Sequence, residues 1–180
     1  MKKRTLIILV ALVAVFGMAV GGTIAWLTDQ TEPITNTFTV GNINIELEET
    51  ATDFKMVPGV TIAKDPKITV KSGSEACYLF VKVEKSTNLN DFITYTMAAG
   101  WIALTGVDGG YYREVNATTS DTTFSVLADD QVTCKDTVTK VMMDALTEDT
   151  YPTLTFTAYA VQQSGSASAA EAWAKVTTTP

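Results

Sequence analysis

The side chains able to do covalent or ligand chemistry are few. Cys77 and Cys134 are the only thiols, Ser and Thr hydroxyls are scattered, and acidic pairs stand at Glu46/Glu48, Asp129/Asp130 and Glu148/Asp149. Histidine is absent from all 180 residues. A hydroxyl or thiol nucleophile needs a neighbouring base. Without imidazole there is no Ser-His-Asp triad, no Cys-His pair, no His-Glu-x-x-His zinc helix and no Cys₂His₂ finger. No Ser-x-x-Lys dyad occurs either. Paired carboxylates can serve a glycosidase or hold Ca²⁺, but Asp129 and Asp130 fall where a turn is expected, so a solvated loop is the better reading. The expectation is a protein without enzymatic activity, cofactor or catalytic metal.

Charge removes a further class. The chain has 13 Lys and Arg against 20 Asp and Glu. With Lys2, Lys3 and Arg4 set aside, ten basic side chains face twenty acidic ones. Nucleic acid is a poor partner for such a surface, because phosphate binding needs clustered cations. Phe92, Trp101, Tyr111 and Tyr112 could form a stacking platform for sugars, although core packing explains them as well.

The elements that must position these groups read as strands. Thirty threonines and eighteen valines favour pleated, half-buried segments. Ala76 to Lys85 is the clearest, with Cys77, Leu79, Val81 and Val83 on one face, expected to be the core face, and Tyr78, Phe80, Lys82 and Glu84 on the other. Further strands are predicted over 38–48 with a phase shift at Gly41, and over 67–71, 92–97, 100–104, 111–115, 123–127, 131–134 and 153–163. Asp108-Gly109 marks a hairpin before the 111–115 strand. Val138, Val141, Met142 and Ala145 recur at three and four, which predicts a short helix over 138–146. Residues 169–176 form a candidate last helical turn that presses Trp173 onto the domain. Nine or ten short strands fit a two-sheet β-sandwich with one or two short helices.

The first residues are of a different kind. Met1 to Arg4 is basic, Leu6 to Val20 is apolar, and Gly21 to Ala25 is small. This is the layout of a secretory signal peptide. Cleavage after Ala25 would use Thr23, Ile24, Ala25 and Trp26 as the recognition segment. The alternative is an uncleaved membrane anchor, which the Gly21-Gly22 pair disfavours as a helix. The basic end stays in the cytoplasm, so the remainder is expected outside it, with the membrane involved only at the precursor stage. In that compartment Cys77 and Cys134 can either join as a disulfide or remain buried thiols.

Residues 21–29 (Gly-Gly-Thr-Ile-Ala-Trp-Leu-Thr-Asp), followed by 36–45 (Asn-Thr-Phe-Thr-Val-Gly-Asn-Ile-Asn-Ile), resemble the TasA/camelysin family of biofilm matrix proteins. The shared pattern is a Gly-rich signal end, a small residue before an aromatic, a polar Asp-containing segment and a Phe-x-x-Gly-x-Ile-x-Ile strand. The resemblance covers residues 1 to about 50, with weaker echoes later. It implies a SipW-type signal peptidase as processing partner and a jelly-roll sandwich. It also implies extracellular fibres in which the mature N-terminal segment of one subunit completes a sheet of the next. Some camelysin-like relatives are described as metalloproteases, a reading that the lack of histidine disfavours.

The expected organisation is therefore a signal peptide over 1–25, an extended segment over 26–36 and a jelly-roll-like sandwich over 37–180. The segment 26–36 lacks strand periodicity and carries Pro33, so it reads as a tether. It could pair with a neighbour's open sheet edge, anchored by Trp26, Leu27 and Ile34. The expected function is that of a secreted structural protein of the biofilm matrix that self-associates head to tail or joins other matrix proteins. The alternative is a monomeric exported cell-surface binding module.

Overall fold

The computed structural model describes Lys3 and residues 41–51 and 54–176. The chain divides into two compact units, Met1–Thr39 and Val40–Pro180, and every element below belongs to the second. The expected cleavage residues Thr23, Ile24, Ala25 and Trp26, and the expected anchors Leu27 and Ile34, lie outside the described residues.

The described part is mainly β. Its strands are β1 (Ile45–Glu48), β2 (Thr61–Ala63), β3 (Lys67–Val70), β4 (Cys77–Lys85), β5 (Ile93–Thr94), β6 (Ile102–Ala103), β7 (Gly110–Val115), β8 (Thr122–Ser125), β9 (Gln131–Cys134) and β10 (Leu154–Gln162). From Gly41 on, the described residues form three short α-helices: α1 (Leu89–Phe92), α2 (Lys140–Asp144) and α3 (Ala169–Val176). The strands form three antiparallel sheets in the orders β1-β3-β8, β10-β4-β7-β6 and β2-β9-β5.

The number and spacing of the strands predict two sheets, and among the described residues three are found, for a local reason. β2 runs into β3, and β8 into β9, so a single ladder would join all four. Pro66 lacks an N–H and interrupts it. Opposite Pro66 the chain makes a 3₁₀ turn at Ala128–Asp130, where Asp129 and Asp130 both take left-handed φ values of 56° and 52°. The crease is bridged by Val126 N–H donating to Pro66 O at 2.9 Å and Lys64 N–H to Asp130 O at 2.8 Å. Threonines pair directly across both parts: Thr69 and Thr123 hydroxyls are 2.8 Å apart, and those of Thr61 and Thr133 are 3.3 Å apart. Such cross-strand pairs are where the threonine richness does its structural work.

β4 is the axis of the fold. Its odd residues Cys77, Leu79, Val81 and Val83 pack with Ile68 and Val70 of β3, Val115 of β7 and Val126. The β1-β3-β8 and β10-β4-β7-β6 sheets thus share one core, on the face that alternation predicts. The opposite face is covered as well. Tyr78 and Phe80 lie under α3, where Ala169 and Ala172 are buried and the Trp173 ring stands 5.3 Å from Phe80 and 5.4 Å from Tyr159. A second cluster, with Leu89, Phe92, Ile93, Leu127, Val132, Cys134 and Val138, fills the space beside the β2-β9-β5 sheet.

Several boundaries differ from those expected. Residues 92–97 are the end of α1, then β5, then a single bridge from Met97 to Leu127. β2 has no counterpart among the predicted strands. The predicted 138–146 helix is shorter, because the Thr139 hydroxyl accepts Met142 N–H as its N-cap. Val138 is therefore buried ahead of the helix while Val141 is 78% exposed, the reverse of equal partners on one face. The hairpin at Asp108-Gly109 forms, joining β6 to β7. Gly109 is required there: its φ is +64°, its carbonyl accepts Val83 N–H, and a Cβ would sit 2.1 Å from Val83 O.

Candidate binding groove

Three outermost strands, one from each sheet, converge on a cavity of about 1070 Å³. β1 contributes Leu47 and Glu48, β10 contributes Leu154 to Phe156, and β2 contributes Ile62. Leu89, Ile93 and Val132 come from the second cluster, and Met143 and Leu146 from α2 and the turn after it. Phe54 and Met56, which precede β2, supply a further wall. No described strand pairs with the outer edges of β1, β2 or β10. The pattern of β10 is that of an edge strand, with nearly every residue half-buried.

One ion pair stands inside this apolar lining. Lys64 Nζ is 2.7 Å from Glu49 Oε1, with side chains 9% and 16% exposed, making it the most enclosed ion pair among the described residues. The ammonium also lies 4.7 Å from the Phe54 ring centroid and 5.5 Å from that of Phe156. Carboxylate and two rings together offset the cost of removing the cation from water. The strand crease puts Lys64 here, since its backbone is held to Asp130 just before Pro66. Beside it, Asp65 accepts Thr50 N–H at 3.1 Å and the Thr50 hydroxyl at 2.7 Å. The Thr50 hydroxyl, then its N–H, hold the Asp65 carboxyl below the usual carboxylate range. These two contacts fasten Thr50 to the crease. Sequence alone hides Lys64 and Glu49: the signal was a lysine set among Ile62, Pro66 and Ile68, where alternation asks for an apolar residue.

The thiols take the second of the two expected alternatives. Both are free and buried, and they belong to different clusters: Cys77 packs between the sheets, Cys134 beside α1. The Cys77–Cys134 disulfide is thus not formed, since separate cores hold the two residues. Burial pushes both thiols up from their ordinary values. This disfavours the thiolate that exchange or nucleophilic attack requires.

The acidic pairs do not converge. Glu46 bonds Lys71, Asp130 lies 3.4 Å from Lys67, and Glu148 and Asp149 occupy a 3₁₀ turn closed by a capping box between Thr147 and Thr150. Among the described residues no group of three or more His, Cys, Asp or Glu is placed to hold a metal ion. The aromatic platform dissolves too. Phe92 is in the second cluster, Trp101 in the first, and Tyr112 against Tyr78 and Phe80 under α3. No family model, curated protein or solved structure matches the chain.

Proposed function

We propose that the chain is a secreted structural protein of the biofilm matrix, of jelly-roll type, that polymerises by docking its mature N-terminal segment onto the next subunit. The observation that carries this reading is the convergence of the outer edges of β1, β2 and β10 on one apolar groove. An unpaired edge beside a preformed groove is what a donated strand needs: the ladder supplies affinity and alternate side chains fill the pockets. The segment 26–36, with Trp26, Leu27 and Ile34 as anchors, has the apolar side chains for it. The resemblance of residues 21–45 to the TasA/camelysin family points the same way and names a SipW-type peptidase as the enzyme that frees Trp26.

Each buried Leu or Ile contributes about 1.5–3 kcal/mol, so the anchors need the hydrogen bonds of the ladder as well to exceed the cost of ordering eleven residues, about 1–2 kcal/mol each for the backbone, and a groove formed before docking keeps that cost to the segment alone. A head-to-tail contact of this kind propagates as a filament unless rotation closes a ring. The test compares residues 26–180 with a version that starts at Thr37, by electron microscopy. Fibres from the longer form alone are expected. Equal fibre formation by both rejects donor-strand docking, and a persistent monomer of the longer form at high concentration favours the exported binding module instead.

A further inference from the structure

A second feature lies away from the groove, on β7. Arg113 pairs with Leu79 across the β4–β7 ladder, so its side chain starts on the core-facing side of the sheet. Its guanidinium carbon lies 3.9 Å from the Phe124 ring centroid and 5.3 Å from that of Trp101. Trp101 is itself fixed, buried to 9% exposure with its indole N–H donating to Ser125 O at 2.9 Å. Gly100 completes the cradle. It takes φ +88°, which favours glycine, and a Cβ there would stand 2.7 Å from Nη2, so a side chain at this position would push the guanidinium aside.

Among the described residues this charge has no counter-charge. Arg113 Nε is buried with no hydrogen-bond partner, and among the described residues no carboxylate forms an ion pair with it. Acids are not scarce in a chain with twenty of them. Arg113 is half-buried, and taking part of its guanidinium out of water without an acid partner is costly, a cost that two rings offset only in part. With ring surfaces packed on it and Nε buried, what the group still offers is its Nη1/Nη2 edge, which matches the two oxygens of a planar carboxylate. A doubly charged phosphate would lose more hydration on entering the same apolar surround. We propose that Gly100, Trp101, Arg113 and Phe124 form a binding site for a carboxylate, with Arg113 as the bidentate donor.

The test uses nuclear magnetic resonance on the full chain in detergent micelles. Arg4 and Arg113 are the only arginines and Trp26, Trp101 and Trp173 the only tryptophans, so R113K and W101F assign the Nε–H and indole N–H signals. Acetate should shift both signals saturably, with a midpoint of ~1 mM or above, while chloride at equal ionic strength should not. In R113K, which keeps the charge but not the fork, the Trp101 shift should need about tenfold more acetate. G100A, which crowds Nη2, should weaken acetate in the same sense and serves if R113K does not fold. Shifts that follow protein concentration without acetate place the carboxylate on a second copy and also support the site. Absence of any saturable shift, an equal response to phosphate, or an unchanged response in R113K overturns it.

Discussion

The two ends of the β2–β3 ribbon are treated in opposite ways. At Ile68 and Val70 the sheet meets Leu79 and Val81 of β4, and all four side chains are fully buried. A few residues earlier, at Ile62 and Lys64, the facing sheet draws away and leaves a groove with an ion pair inside. Pro66 and the Ala128–Asp130 turn stand at the border between these regions. The first region holds the fold together; the second is left unfilled at a cost in burial, and unfilled apolar space at strand edges suits a partner better than it suits stability.

The comparison breaks most readily at the core. Leu79→Ala should destabilise by about 2–5 kcal/mol in denaturant unfolding, because the surrounding strands cannot collapse into the cavity. Leu154→Ala, at the groove, should cost well under half of that, since Leu154 is already half-exposed. Equal losses would mean that the groove side chains are as firmly packed as the core.

A smaller effect separates Lys64 from Glu49. Lys64→Met leaves a mostly buried carboxylate unpaired and should cost about 1–3 kcal/mol, whereas K64M combined with E49L should recover most of the loss. An additive double variant would show that the two groups act separately and that the pair is not a unit.

Much of the first region was legible from alternation. The inward face of β4, the β6–β7 hairpin and a last helical turn carrying Trp173 against the domain follow from period and turn chemistry, because each is a local property of one segment; that Phe80 and Tyr159 receive the ring is not. The crease was not. Pro66 was visible as a proline, but its effect depends on the left-handed Asp129 and Asp130 standing opposite it, more than sixty residues away in the chain. The groove was illegible for the same reason: it is made of three strand edges, and which strands end a sheet is decided by topology. The strand predicted over 92–97 begins on the last residue of α1, because Phe92 and Ile93 are buried together in one cluster, and burial without clear alternation reads the same for a helical turn as for a strand.

The thiols sharpen the contrast between the two cores. Because burial raises Cys77 and Cys134 alike, neither should be alkylated by iodoacetamide in the folded protein, and mass spectrometry should find no bond between them. Both folded thiols stay neutral while unfolded ones ionise, so their contribution is full below pH about 8.5 and is lost as pH rises beyond it. Rapid labelling of Cys134 alone would show that the second cluster opens more readily than the first.

The smallest effect is expected at Asp65. Its carboxyl is held low in the folded state by Thr50, so its contribution is present above the unfolded value of about 3.9 and disappears as pH falls through the folded one. Asp65→Asn should flatten that acid limb slightly and loosen the hold on Thr50, which faster limited proteolysis beside Thr50 would register. An unchanged acid limb would remove Thr50 and Asp65 from the fastening of the groove.

The central claim is that the mature N-terminus of one subunit lies in the groove of the next. Benzoylphenylalanine in place of Trp26, photolysed in assembled residues 26–180, tests it directly, with an isotopically labelled copy mixed in to separate contacts between chains from those within one. The account predicts adducts between chains at Leu47 to Met56 or Leu154 to Phe156. Adducts confined to one chain, or joining neighbours at α3 or β6, would contradict it.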